Sequence, residues 1–256
     1  MNFLLPRPAG LGYNEKKRFS ASPAERLQPG VLESVFFILK QEDNTMIGIA
    51  TLPIRHGNVP LRIAQGHFAT NHSHINYYID VSFQKTRLSE AKDVAKYLVR
   101  NFKNTTLVDT VLCLDGTAVI GTCLAQELTA NGFRSINSHN TIYVVEPEFN
   151  ANSQMIFRDN IQPMIRGKHV LVLMASVTTG FTAKRSLEAI GYYGGEVAGV
   201  ASIYSAVDTV EGLPVSSVFN VHDLPDYASY DYRECPYCKQ GKKIDALVNS
   251  FGISEL

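Results

Sequence analysis

The sequence predicts an α/β fold: a mainly parallel twisted sheet flanked by helices, with a small hood and a C-terminal extension. Three observations carry this. From residue 110 onward, short runs rich in β-branched residues alternate with helix-like stretches of about ten residues, the pattern of βαβ units. The runs VLVL (170–173) and VAGVASI (197–203) are apolar throughout, as strands are when helices cover both sheet faces. Hydrophobic residues make up 45% of the chain and charged ones 19%, enough to build a sizeable core.

The elements follow in order. Residues 1–30 hold four prolines and no sustained periodicity, which predicts an extended arm. Residues 31–256 read as a single domain with the hood at about 45–82, the core at about 88–210 and the extension at about 211–256. Within it, 31–39 is apolar and fits strand or helix, while 46–53 and INYYIDV (75–81) read as strands. Residues 89–102 place Ala91, Val94, Ala95, Leu98 and Phe102 at helical spacing, with Ser89 as N-cap. A strand at 110–114 leads through Asp115-Gly116-Thr117 into a helix at 119–130 that stops near Asn131-Gly132. Strands at 141–145, 169–173 and 196–204 follow, with a helix at 182–190 ending before Gly194-Gly195.

Lys plus Arg and Asp plus Glu both number 24, so the formal charge is zero. No basic stripe is visible, which argues against a nucleic-acid partner. The clusters at 15–18 and 239–243 read as solvated surface. No apolar run reaches the ~18 residues of a membrane helix. The first ten residues lack the make-up of a secretory signal, and four cysteines give no disulfide framework. A cytoplasmic location is expected.

Two loops lie where an open parallel sheet binds ligands, beyond the carboxyl ends of its strands. One is Asp115-Gly116-Thr117. The other is Ser176-Val177-Thr178-Thr179-Gly180-Phe181-Thr182. The second offers hydroxyls, a glycine permitting close backbone approach, and unpaired N–H groups at a helix start, which together suit an anion. An ordinary capped turn has the same residue types.

The wider text VLVLMASVTTGFTAKRSLEAIGYYGGEVAGVASI, with GHFATNHSHINYYIDV at 66–81 and CPYCKQGKK at 235–243, resembles the type I phosphoribosyltransferase family, most closely its orotate phosphoribosyltransferases. The resemblance covers about residues 60–245. It implies that Ser176 to Thr182 grip the 5′-phosphate of phosphoribosyl pyrophosphate (PRPP). It places Asp115, Gly116 and Thr117 at the pyrophosphate and has His67 and Phe68 border a planar base. It also implies a Mg²⁺-dependent reaction, a small-molecule phosphoribosyl ligand and a homodimer.

Two departures stand out. Met174 and Ala175 occupy the positions of the family's acidic pair, whose carboxylates steady the cation developing on the sugar. Losing one well-placed group of that kind costs about 3 kcal/mol in the transition state. Glu146 and Glu148 stand where Arg and Lys are expected on the loop that closes over pyrophosphate, leaving Arg158, Arg166 and Lys168 as compensating cations. Two functions therefore stay open: transfer of ribose 5-phosphate from PRPP to a planar base, with no catalytic residue assigned, and non-catalytic binding of a nucleoside monophosphate or sugar phosphate.

No metal site is assigned. His72 and His74 would share a strand face and could hold a metal, but the resemblance makes the His67, His72, His74 cluster a polar rim above the base. Cys235-x-x-Cys238 is half of a zinc knuckle. Cys113 and Cys123 fall in the expected core, and only His222 and Asp223 are in view to complete it.

Overall fold

A computed structural model describes residues 47–130, 136–137, 141–152 and 154–256. The expected arm, the 31–39 stretch and the Asn131-Gly132 stop lie outside them. In chain order the elements begin with β1 (Ala50–His56), β2 (Val59–Ala69), β3 (His74–Ile79), α1 (Ser82–Thr86) and α2 (Leu88–Leu98). Then come β4 (Thr110–Cys113), α3 (Ala118–Thr129), β5 (Tyr143–Val145), β6 (Glu148–Phe149) and β7 (Met155–Ile156). The last third holds β8 (His169–Val177), α4 (Phe181–Tyr192), β9 (Glu196–Ser205), β10 (Thr209–Val210), β11 (Leu213–Asn220), β12 (Ser229–Tyr230), α5 (Pro236–Lys239), β13 (Ala246–Asn249) and β14 (Gly252–Glu255).

The core sheet has the order β10-β11-β9-β8-β4-β5, parallel except for the antiparallel β10–β11 edge. The expected α/β architecture is therefore present. β8, at its centre, is buried on both faces, which is why its text carries no polar alternation. Leu171 and Leu173 pack on one side with α2 residues Ala91, Val94, Ala95 and Leu98 and α3 residues Ile120 and Leu124. Val170, Val172 and Met174 pack on the other with Ala183 and Ile190 of α4. Gly121 permits the close seating of α3, since a Cβ there would overlap the Cys113 sulfur.

The second sheet, ordered β12-β3-β2-β13-β14 with β1 also on β2, forms the hood. It joins segments far apart in sequence: β13 lies parallel to β2, pairing Ala246 with Phe68 and Leu247 with Ala69. The C-terminal extension thus completes the hood, while β11 adds a strand to the core sheet beyond residue 210. Ser89 does not cap α2; Arg87 holds the N-cap position and Ser89 lies inside the helix.

Candidate functional site

The site lies beyond the carboxyl ends of β4 and β8, as open parallel sheets dictate. β8 runs four residues past its expected end because Met174, Ser176 and Val177 continue its ladder with Ser202, Tyr204 and Ser205 of β9. Met174 is 2% exposed in the apolar core. A carboxylate there would be buried, so the residue is neutral for a packing reason. Gly180 then turns the chain at φ +77 into α4, a conformation that L side chains adopt only with strain. The N-cap Gly180 offers no side chain to α4 and Thr179 Oγ1 accepts the Phe181 N–H at 3.5 Å, which leaves the N–H groups of Thr182 and Ala183 without an intrahelical partner. Thr178 is half-buried and Thr179 exposed at this turn.

A cleft of about 220 Å³ opens here, lined by 174–183, by the hood tip at 70–73, by β3, and by Val248, Asn249, Ser250 and Gly252 of the tail. The residues expected to hold phosphate therefore share one cavity with Asp115. Its charged lining, among the described residues, is one carboxylate, Asp115, and one ammonium, Lys85. Asp115 has φ +57 and Gly116 φ +75, so two consecutive left-handed residues swing the Asp115 side chain back toward β8. There the Ala175 backbone N–H lies near its carboxylate and favours the ionised form. Burial pushes the Asp115 carboxyl above its usual range, against the opposing pull of that N–H and of Lys85. Burial likewise lowers Lys85, against the attraction of Asp115 and Asp80. Lys85 Nζ donates to the carbonyl of Asp115 at 3.0 Å and to that of Ser250 at 2.7 Å, tying α1, the β4 loop and the tail together.

Other expected site residues fall elsewhere. Thr117 is fully buried, and its hydroxyl serves the carbonyls of Leu114 (2.8 Å) and Leu173 (3.1 Å), so it braces the loop and does not face pyrophosphate. His67 and Phe68 are both 0% exposed and neither lines the cleft. The ring of Phe68 packs in the hood core with Ala64, Ile75, Tyr78 and Ala246, leaving no face for a base. The aromatic rim is formed by His72 and Phe181, whose ring centroids lie 5.4 Å apart. The three histidines do not form one rim. His67 and His74 converge with Cys235 and Cys238, their ligand atoms all within 4.8 Å of one another. Asp223, the other partner considered for the cysteines, is bonded to His56 at 2.7 Å.

The segment expected to carry cations forms the β6–β7 hairpin. Arg158 is engaged by Glu148 through two bonds of 2.9 and 2.6 Å, Arg166 by Gln162 at 3.3 Å, and neither they nor Lys168 line the cleft. Lys85 and the tail wall escaped sequence reasoning; both reach the site only through tertiary folding. The nearest sequence signal for Lys85 was its position just after the INYYIDV strand.

No protein-family model matches the chain. A sequence match does: orotate phosphoribosyltransferase of Caldanaerobacter subterraneus is 30% identical over 185 residues, spanning 70% of this chain and 86% of that protein. The chain belongs to the orotate phosphoribosyltransferase family. The Thermotoga maritima orotate phosphoribosyltransferase is 35% identical over 108 residues, 39% of this chain and 56% of that one. Among solved structures, the Mycobacterium tuberculosis orotate phosphoribosyltransferase in complex with inorganic phosphate aligns at TM-score 0.40 and 22% identity, over 58% of this chain and 80% of that one. In this chain the apolar pair Met174-Ala175 stands near the end of β8, and among the described residues the one carboxylate lining the cleft, Asp115, comes from the β4 loop. Among the described residues no helix is long and apolar enough to cross a membrane.

Proposed function

We propose that this protein binds phosphoribosyl compounds with their 5′-phosphate at residues 176–182 and transfers ribose 5-phosphate from PRPP to a planar base. The observation that carries the reading is Asp115, whose carboxylate lies near the Ala175 N–H at the place where the family's acidic pair would stand. In the transfer, a ring nitrogen of the base bonds to C1 of the ribose and gives up its N–H proton to water as pyrophosphate leaves with the bonding pair. Positive charge grows on the sugar, and a fixed carboxylate beside it lowers the barrier. The uncapped start of α4 supplies backbone donors to the 5′-phosphate, and Lys85 is the cation on the pyrophosphate side. His72 and Phe181 offer the apolar face for the base.

A protein-held Mg²⁺ does not fit this donor set. Asp115 is the one cleft carboxylate among the described residues, and it already lies near the Ala175 N–H and is drawn to Lys85. Mg²⁺ usually keeps several waters and is held by one or two carboxylates plus substrate phosphates, so any Mg²⁺ here would arrive on the pyrophosphate as part of the substrate.

The engagement of Arg158 by Glu148 favours a second reading, a monophosphate-binding protein without turnover. Calorimetric titration with PRPP, orotate and nucleoside monophosphates, with and without Mg²⁺, is paired with an assay for orotidine monophosphate. Turnover with PRPP and orotate, lowered about 10²- to 10³-fold in Asp115→Asn, is the outcome expected of transfer. Tight monophosphate binding with no turnover and no Mg²⁺ effect overturns transfer and establishes the binding protein.

A further inference from the structure

The hood holds a second constellation, made of residues that do not line the cleft. β2 and β3 pair Phe68 with Ile75 and Ala69 with His74, but Gln65 pairs with Tyr77, so β2 carries one extra residue at a bulge over Gly66 and His67. The bulge turns the His67 imidazole toward His74, with ring centroids 5.0 Å apart. From the other end of the chain, α5 brings the Cys235-x-x-Cys238 pair against the same two rings.

The distances have the form of a coordination shell. His67 Nε2 lies 3.1 Å from His74 Nδ1, 3.4 Å from Cys235 Sγ and 3.6 Å from Cys238 Sγ, and Cys238 Sγ lies 3.3 Å from His74 Nδ1. A tetrahedral zinc with Zn–S of ~2.3 Å and Zn–N of ~2.05 Å requires N–N edges of about 3.3 Å and N–S edges of about 3.6 Å. Each of these four edges is within about 0.3 Å of those values, and all ligand atoms lie within 4.8 Å of one another.

The tautomer of His67 points the same way. Its Nδ1 faces the carbonyl oxygens of Lys242 (3.1 Å) and Lys243 (3.0 Å), which only accept, so Nδ1 carries the proton. Nε2 is left with its lone pair directed into the cluster, at a residue that is 0% exposed. A second N–H bonded to backbone carbonyl is the usual support for a metal-bound imidazole. Asp245 adds to this by accepting the His67 N–H at 2.6 Å and donating its own N–H to the His67 carbonyl at 2.8 Å.

We propose that His67, His74, Cys235 and Cys238 bind one Zn²⁺ as a closed structural site. Two thiolates and two imidazoles in a tetrahedron select zinc among common divalent ions. Four protein ligands leave no open position for catalysis. The two thiolates neutralise the ion, so the site, buried at His67 and Cys235 and exposed at Cys238, carries no net charge. Its mechanical effect is to clamp the β2–β3 hairpin to α5 and so to hold the β13–β14 tail on the hood. The proposal does not depend on the phosphoribosyl reading, because its test needs no nucleotide.

Full-length protein purified without chelator, or reconstituted with Zn²⁺ alone, is expected to contain zinc at a one-to-one ratio by elemental mass spectrometry. Co²⁺ in its place should give tetrahedral ligand-field bands with sulfur-to-cobalt charge transfer. Zn²⁺ should slow alkylation of Cys235 and Cys238 by at least tenfold, read peptide by peptide, with His222→Asn as a variant that keeps the metal. Cys238→Ser should lose it. Because that substitution also alters the packing of α5, the wild-type alkylation result decides. Equal alkylation with and without Zn²⁺ overturns the site, as does a Cys235–Cys238 disulfide in native metal-free protein that takes up no zinc after reduction.

Discussion

Asp115 combines a left-handed backbone with a carboxylate folded back on β8, an arrangement that Asp tolerates better than most residues. Replacing it with Asn preserves shape and removes charge. If the carboxylate steadies the ribose cation, Asp115→Asn should lower kcat/KM by about 10²- to 10³-fold while leaving monophosphate affinity within a few-fold. Equal losses of affinity and rate would make it a loop brace only. The pH profile adds a second measure. Asp115 must be ionised, and burial holds its pKa above 3.8, so kcat/KM rises with pH through that raised value. Lys85 must be protonated, and burial holds its pKa below 10.5, so the rate falls as pH climbs through that lowered value. The expected bell is narrower than two unperturbed groups would give, with its acid limb absent in Asp115→Asn and its alkaline limb absent in Lys85→Met. Met174 supplies the complementary case. Met174→Asp places a charge in a core position that is 2% exposed, so a lower melting temperature is expected, not restored catalysis.

At the scale of elements, the hood is fastened to the core by a bidentate pair, Arg62 on β2 with Glu90 on α2 at 2.8 and 2.9 Å. The side chains are 16% and 11% exposed. Removing one partner leaves the other charge buried, at a cost of about 3 kcal/mol, which for a domain of this size is a fall of roughly 6–12 °C in melting temperature. Glu90→Ala should show that loss by calorimetry, and Arg62→Met with Glu90→Met should recover most of it. If the double variant is no better than the single one, the pair contributes through packing and not through charge. This scale also shows where sequence reading succeeds. The Thr-Thr-Gly turn is legible because glycine at positive φ and a helix start are local features, and the strands expected at 110–114, 169–173 and 196–204 are legible because they are largely apolar, although β8 continues to Val177. The base rim was misplaced because a β-bulge of one residue, invisible in composition, sends His67 to the cysteines and Phe68 into the core. Lys85 and the tail were missed because nothing local marks a residue whose partners are 30 and 165 positions away.

For the whole molecule, the cleft is a junction of three distant pieces of chain: the hood tip at 70–73, the loops at 115 and 176–182, and the tail turn at 248–252. The tail is held there by β13 on β2 and by Lys85 on Ser250, not by a covalent tie. A ligand that fills the cleft must contact all three, so it should order them together. At about 100 times its dissociation constant, a nucleoside monophosphate should raise unfolding stability by about 2.7 kcal/mol, visible as a higher melting temperature. Amide hydrogen exchange then locates the gain. If the phosphate sits at 176–182 as proposed, slower exchange is expected there and also in 248–252 and 70–73, which line the same cleft. Lys85→Met should uncouple the tail, so that 176–182 remains protected and 248–252 does not. Protection confined to 176–182 in the wild-type protein would mean that the tail is a fixed wall of the hood and takes no part in holding the ligand.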